Sequence, residues 1–330
     1  MPTVLGFGGI SIQSVPTGEA VPVIRGALDA GINFFDSARV YTDSEAKMGA
    51  AFRGRRTECL IATKSLARKA PDIRRDLETS LAELGTDHVE LFQLHNISRA
   101  EELEEVLAAG GALEGALRAR DEGLCGHVGV TSHNVNVAAA AVRTGCFETL
   151  QIPYNIIEDA AATSGLFRIA EGMDVGVIIM KPLAGGALDL ARPALRFALH
   201  PLATTVIPGM VSQAQVAENV SALADPGPPA ARELQALRQS AASLGERFCR
   251  RCQYCLPCPQ DINIPQVFIC ATTATWRGEP ERARSMYERL MTPASDCTGC
   301  GECEERCPYL IPIREMLAEA AELLEKQPGR

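Results

Sequence analysis

Residues 59–95 read CLIATKSLARKAPDIRRDLETSLAELGTDHVELFQLH. Cys59–Ser65 is a short strand-like run, Pro71–Leu84 a helical stretch, and Val89–His95 a second strand-like run that ends on a histidine. Strand, helix and strand in this order make a βαβ unit, which builds parallel sheets.

The unit repeats in both directions. Further strands are predicted at Val4–Gly9, Asn33–Ser37, His127–Ser132, Thr149–Tyr154, Gly176–Pro182 and Thr205–Pro208, with helices at Glu19–Ala30, Glu101–Arg120 and Asn136–Thr144. Eight strands alternating with helices predict an α/β fold, a (β/α)8 TIM barrel over residues 1–223. Pattern alone also allows an open doubly wound sheet. The count of eight, with no Gly-x-Gly-x-x-Gly after the first strand, favours the barrel.

Ala224-Asp225-Pro226-Gly227-Pro228-Pro229 is too rich in proline to continue a helix, so 224–229 reads as a linker. Residues 230–330 read as a second, small domain with helices at Ala230–Leu244, Ile262–Thr273, Gly278–Leu290 and Ile313–Glu325. Two cysteine runs are set among them. One is Cys249-x2-Cys252-x2-Cys255-x2-Cys258-Pro259, the other Cys297-x2-Cys300-x2-Cys303-x3-Cys307-Pro308. Three thiolates at steps of three, then Cys-Pro, is the bacterial pattern for a [4Fe–4S] cube, and the fourth cysteine of such a run often serves the other cluster. The expected ligand sets are Cys249, Cys252, Cys255 with Cys307, and Cys297, Cys300, Cys303 with Cys258. Zinc would call for paired CxxC motifs, which these runs fit less well. No internal repeat is read beyond the runs themselves. Cys59, Cys125, Cys146 and Cys270 read as small buried apolar residues.

The net charge of −9 argues against nucleic acid and against an anionic membrane surface as partners. No apolar stretch reaches the ~18–20 residues of a membrane span, and no charged start precedes an apolar segment. The cytoplasm is the expected location. Glu302, Glu304 and Glu305 beside the second run read as a solvated acidic face, or as a docking face for a basic redox partner.

Chemistry in such barrels sits at the C-terminal ends of the strands. Asp36, Lys64 and His95 end successive strands, and Tyr41 follows in the loop after Asp36. Each alone has a bland reading, as a helix cap or as packing. Together, on successive strands of one barrel, they read as a catalytic group. Only five of the 32 basic residues are lysine, so lysine at position 64 carries weight.

These segments resemble the aldo-keto reductase superfamily. Gly31-Ile32-Asn33-Phe34-Phe35-Asp36-Ser37-Ala38 with Tyr41 and Ser44-Glu45 is similar to the family's Asp and Tyr segment, Ala62-Thr63-Lys64 to its Lys segment, and Leu94-His95-Asn96 to its His segment. The likeness runs over residues 4–220. The cysteine runs resemble the branch with a C-terminal, α-helical ferredoxin-like domain. The family commonly opens with a hairpin below the barrel, for which this sequence shows no counterpart before strand 1.

The resemblance implies a small carbonyl or alcohol substrate and a nicotinamide cofactor. Reduction of a carbonyl leaves negative charge on oxygen and needs a proton. A phenol with pKa near ~10 donates poorly at neutral pH. In that reading the Lys64 ammonium beside Tyr41 corrects this, Asp36 holds the ammonium, and His95 orients the carbonyl. The resemblance also places Thr131, Ser132, Asn134 and Gln151 near the carboxamide, and Gly209, Gln215, Glu218 and Asn219 near the adenosine phosphate. Two departures stand out. Gly209, Met210 and Gln215 occupy places where many members carry the Lys, Ser and Arg that hold a 2′-phosphate, so NAD(H) is expected over NADP(H). Met180 replaces an aromatic ring that stacks on nicotinamide, and Lys181 beside it could meet a phosphate or a substrate carboxylate. The expected function is an oxidoreductase in which two clusters accompany a hydride-transfer site. The alternative is an electron-transfer protein whose barrel serves as a docking or ligand-binding scaffold.

Overall fold

The computed structural model describes residues 1–224, 227–243, 247–275 and 279–325. Asp225 and Pro226 of the linker, Leu244 and Gly278 lie outside the described residues. The chain divides into two compact units, Met1–Arg238 and Gln239–Arg330.

In the first unit eight parallel strands follow one another in chain order. They are β1 (Phe7–Gly8), β2 (Phe34–Asp36), β3 (Leu60–Ser65), β4 (Val89–Leu94), β5 (Cys125–Thr131), β6 (Thr149–Pro153), β7 (Gly176–Met180) and β8 (Thr205–Ile207). Parallel bridges Leu5–Val206 and Gly8–Gly209 join the first strand to the last and close the barrel. All eight predicted strands are present, with ends that differ by a few residues. Helices cover the outside, among them Thr17–Asp29, Ala70–Leu84 and Val135–Arg143.

The helix predicted over Glu101–Arg120 is two helices, Ala100–Leu107 and Ala112–Asp121. Gly110 between them has φ +74°, and a Cβ on Gly111 would lie 2.5 Å from the Val106 carbonyl. Those two glycines permit a reversal that larger residues would obstruct. Cys59, Cys125 and Cys270 are buried as expected, but Cys146 is exposed, in the turn that leads from Val135–Arg143 into β6.

Residues two apart on a strand share a face. Phe34, Ala62, Leu91, Ile178, Met180 and Ile207 form one apolar cluster, distinct from the large core that Phe35, Ile61, Phe92 and Val130 share with the helices. Two residues further along β2, β3 and β4 come Asp36, Lys64 and Gln93, and His95 follows two beyond Gln93. The alternation therefore plugs the barrel below and turns polar groups inward above.

In the second unit the described helices are Ile264–Thr275, Pro280–Tyr287, the short turn Glu302–Glu305, and Ile313–Leu324. Their apolar residues and Cys255, Cys303 and Cys307 form one core. Helix Ala231–Ser243 begins in the first unit, where Glu233 pairs with Arg196 at 3.1 Å. Among the described residues no helix is long and apolar enough to cross a membrane.

Candidate active site and cysteine centres

Asp36, Tyr41, Lys64 and His95 meet at the C-terminal end of the barrel. Lys64 is fully buried, and its Nζ donates to Asp36 Oδ2 at 2.7 Å and to the Ser37 carbonyl at 2.5 Å. The same ammonium lies 4.9 Å from the Tyr41 ring centroid. The Tyr41 and His95 rings meet edge to face with centroids 5.8 Å apart. Desolvation pushes the Lys64 ammonium down and the Asp36 carboxyl up, and each partner's charge opposes that push. Burial, then the positive charges of Lys64, Arg68 and Lys181, holds His95 well below its usual value, so the imidazole is neutral near pH 7.

The backbone fixes this grouping. Ser37 N–H donates to the Ala62 carbonyl and Arg39 N–H to the Lys64 carbonyl, both at 2.8 Å, so pairing with β3 continues past β2 towards Tyr41. Glu45, 1 % exposed, accepts from Thr63 Oγ1 at 2.5 Å and pairs with Arg39. The Tyr41 loop is thus tied to the lysine strand from two sides. On the other flank Arg68 donates to the carbonyls of His95 at 3.1 Å and Asn96 at 3.2 Å. Sequence reasoning missed Arg39, Thr63 and Arg68, which touch the site only through these supports. It also missed Gln93, whose Nε2 donates to Gln151 Oε1 at 2.9 Å, with both amides against Asp36. A glutamine in the apolar run Leu91-Phe92-Gln93-Leu94, two before His95, was the available signal.

The residues that the resemblance assigns to the nicotinamide carry internal bonds. Thr131 Oγ1 accepts the Asn96 N–H at 2.7 Å. Ser132 Oγ donates to the Asn134 carbonyl at 3.1 Å, and Asn134 Oδ1 caps Val135–Arg143 by accepting from Asn136 and Val137. Gln151 is buried beside Asp36, with Nε2 3.8 Å from Met180 Sδ. Lys181 has φ +56° just past β7, and its charge reaches both His95 and His133. Further on, a Cβ on Gly209 would lie 2.0 Å from Ser11 Oγ. Met210 is buried, and Gln215 Oε1 accepts the Val211 N–H at 2.8 Å. Glu218 is exposed, while Asn219 Nδ2 is buried with no hydrogen-bond partner among the described residues.

The eight cysteines sort by neighbourhood. Cys258, Cys297, Cys300 and Cys303 line one recess, one cysteine from the first run and three from the second. Cys249 and Cys255 feel the charges of Cys252 and Cys307, and Cys255 also that of Cys303. Burial first, and Cys252 next, pushes the Cys249 thiol up to about 12. The two runs also follow one backbone path. Left-handed φ angles fall at Arg251 (+54°) and Gln253 (+66°) in the first run, and at Gly299 (+74°) and Gly301 (+87°) in the second. These are the same steps, two and four residues after the leading cysteine. The match continues past the fourth cysteine, with Asp261 at +56° and Leu310 at +51°. Buried Ile262 and Ile264 answer to Ile311 and Ile313, and a helix starts at Ile264 and at Ile313. The repeat therefore extends beyond the cysteines to Cys-Pro-x-x-Ile-x-Ile and the helix that follows, further than the spacing of the cysteines alone implies.

Comparison with known proteins agrees with this architecture. Residues 4–192, more than half of the chain, match the aldo/keto reductase family, and residues 248–312 match a 4Fe-4S dicluster domain. The chain is 30% identical over 195 residues to the uncharacterized oxidoreductase YrpG of Bacillus subtilis, covering 51% of this chain and 59% of YrpG. The chain thus spans less than two thirds of that relative. Among solved structures, holo aldo-keto reductase AKR11C1 of Bacillus halodurans aligns with a TM-score of 0.62 at 24% identity, covering 72% of this chain and 92% of that one. A Klebsiella pneumoniae aldo-keto reductase solved in complex with NADPH aligns with a TM-score of 0.61 at 21% identity, covering 72% and 90%. The chain belongs to the aldo/keto reductase family and carries a C-terminal 4Fe-4S dicluster domain.

Proposed function

We propose that the barrel of this oxidoreductase reduces a small carbonyl compound, or oxidises the alcohol, with Tyr41 as general acid and base. The observation that carries this is Lys64, held 2.7 Å from Asp36 and 4.9 Å from the Tyr41 ring. Its ammonium stabilises the charge left on the phenol oxygen as the proton moves to substrate. Asp36 fixes the ammonium, with the buried amides of Gln93 and Gln151 beside it. Neutral His95 donates a hydrogen bond to the carbonyl oxygen without competing for the proton.

A bound nicotinamide supplies the hydride. The orphaned Asn219 amide is a donor awaiting an acceptor, in the segment that resemblance assigns to the adenosine end. NAD(H) is favoured over NADP(H), since Gly209, Met210 and Gln215 offer no cation to a 2′-phosphate. Lys181 sits where its charge can meet a cofactor phosphate or a substrate carboxylate.

The clusters supply one-electron storage. Cys249, Cys252, Cys255 and Cys307 hold one, and Cys297, Cys300, Cys303 and Cys258 the other, as the shared recess supports. A cationic metal is what lets such buried thiols ionise. Cubes of this kind suit a reducing cytoplasm and a redox partner protein.

Titrating the anaerobic holoprotein with NADH and NADPH tests the reading. Nicotinamide fluorescence should respond to NADH at lower concentration than to NADPH, and an aldehyde should then consume the NADH. No response to either nucleotide would overturn the reading in favour of a barrel that acts only as scaffold.

A further inference from the structure

The dicluster unit is a structural repeat whose halves carry opposite charge. Between Cys249 and Cys258 the charged residues are Arg250 and Arg251. Between Cys297 and Cys307 they are Glu302, Glu304, Glu305 and Arg306. Matching left-handed residues align the first five positions of the two runs, so the contrast at their start falls at matching places. Arg250 and Arg251 stand where the second run has Thr298 and Gly299.

Arg250 is held firmly. Its guanidinium carbon lies 4.1 Å from the Phe248 ring centroid and 4.7 Å from that of Tyr309. Nη1 donates to the Phe248 carbonyl at 2.9 Å. Phe248 precedes Cys249 and Tyr309 lies two past Cys307, so Arg250 bridges the segments that bring two ligands of one cluster together. Among the described residues no carboxylate pairs with it, and its Nε–H is buried without a hydrogen-bond partner. Around the other cluster the comparable cation is neutralised. Arg314 lines the recess with Cys258, Cys297, Cys300 and Cys303, and Glu304 accepts from its N–H and from Nε, both at 2.9 Å.

Building on the ligand sets proposed above, we infer that Arg250 gives the cluster of Cys249, Cys252, Cys255 and Cys307 a higher reduction potential than the cluster of Cys258, Cys297, Cys300 and Cys303. A fixed positive charge stabilises the more negative, reduced state, and the backbone N–H of Arg251, which donates to Cys249 Sγ at 3.3 Å, acts in the same sense. Acidic residues at the second cluster act oppositely. The pair then has a direction. One electron on the second cluster passes to the first, the donor being oxidised by one unit and the acceptor reduced by one, with no bond or proton moved. Arg250 is a tuning residue that acts through the cluster.

The test is a redox titration of the full-length holoprotein followed by electron paramagnetic resonance. Iron and sulfide analysis with Mössbauer spectra comes first. Fewer than two cubes sinks the ligand assignment, and the inference with it. With two cubes present, wild type should titrate in two separate waves. Arg250→Gln should lower the upper wave and leave the lower one in place, while Arg250→Lys should keep most of the wild-type potential. Should Arg250→Gln fail to hold its cubes, Glu304→Gln decides, because it should raise only the lower wave. A single wild-type wave, an upper wave indifferent to Arg250→Gln, equal shifts of both waves, or a lower wave indifferent to Glu304→Gln would each overturn the inference while leaving the ligand sets standing.

Discussion

Lys64 Nζ and Asp36 Oδ2 form a 2.7 Å ion pair in which neither side chain is more than 4 % exposed. Removing one partner of such a pair leaves the other charged in an apolar surrounding, at a cost of about 3–5 kcal/mol, while removing both costs far less. Lys64→Met should therefore destabilise the barrel more than the double variant Asp36→Asn/Lys64→Met. Chemical denaturation followed by circular dichroism checks the order. If the double variant is the weaker, the pair is not what stabilises this part of the barrel.

Tyr41→Phe removes the proton and keeps the ring against His95 and Lys64. Turnover with an aldehyde should fall by about 10²–10⁴-fold, while the NADH dissociation constant stays the same. Steady-state rates and fluorescence titration of the same preparation separate the two effects. Unchanged turnover would remove Tyr41 from the chemistry.

His95 is buried and His133 half-buried with its Nε2 shut off from solvent, and desolvation holds both well below 6.5. The unfolded chain therefore takes up these protons first as pH falls below about 6.5, and folded stability declines there. Their contribution is fully present above that value. Between about pH 6.5 and 5, the loss of stability in His95→Gln should be shallower than in wild type by up to one proton. Melting curves across that window decide it, and parallel slopes would show that His95 is protonated in the fold.

Gln215→Arg restores a cation to the segment where Gly209, Met210 and Gln215 now offer none. A charge-assisted contact of about 1.5–3 kcal/mol corresponds to roughly ten- to hundredfold tighter NADPH binding. NADH affinity should barely move. The variant also gives up the Val211 N–H bond at 2.8 Å, so thermal stability is measured in parallel.

Gly299 and Gly301 sit at φ +74° and +87°, with no atom within 4 Å of where a Cβ would stand, so alanine there meets backbone strain alone. Each substitution should cost about 1 kcal/mol. Arg251→Gly and Gln253→Gly, at the matching positions, should relieve a similar strain. Iron retention under mild chelator challenge ranks the four variants. Equal retention throughout would mean that these φ angles carry no strain worth measuring.

Much of this was legible in the sequence, because periodicity reports a barrel directly. All eight strands are present, and the three polar residues at strand ends converge with Tyr41 from the loop after β2. What escaped was contact between segments distant in the chain. Arg68 matters because its guanidinium reaches the carbonyls of His95 and Asn96, and no local pattern signals that. Thr131 Oγ1 accepts the Asn96 N–H, a tie from β5 to the loop after β4 that no local pattern signals. Gly110 and Gly111 break the helix, but strong helical propensity on either side masks that break in the sequence. In the second unit the cysteines drew attention from the isoleucines four and six residues later, which carry the same repeat into the core.

The closing bridges of the barrel have a consequence for its birth on the ribosome. Thr205 Oγ1 bonds the Thr3 carbonyl across 202 residues, and Gly6 and Val206 pair beside it. At about 5–20 residues per second, strand 1 waits roughly 10–40 s for its last neighbour to emerge. During that interval the growing sheet has an open edge at each end, and whatever shields those edges governs how much of the protein is ever made whole.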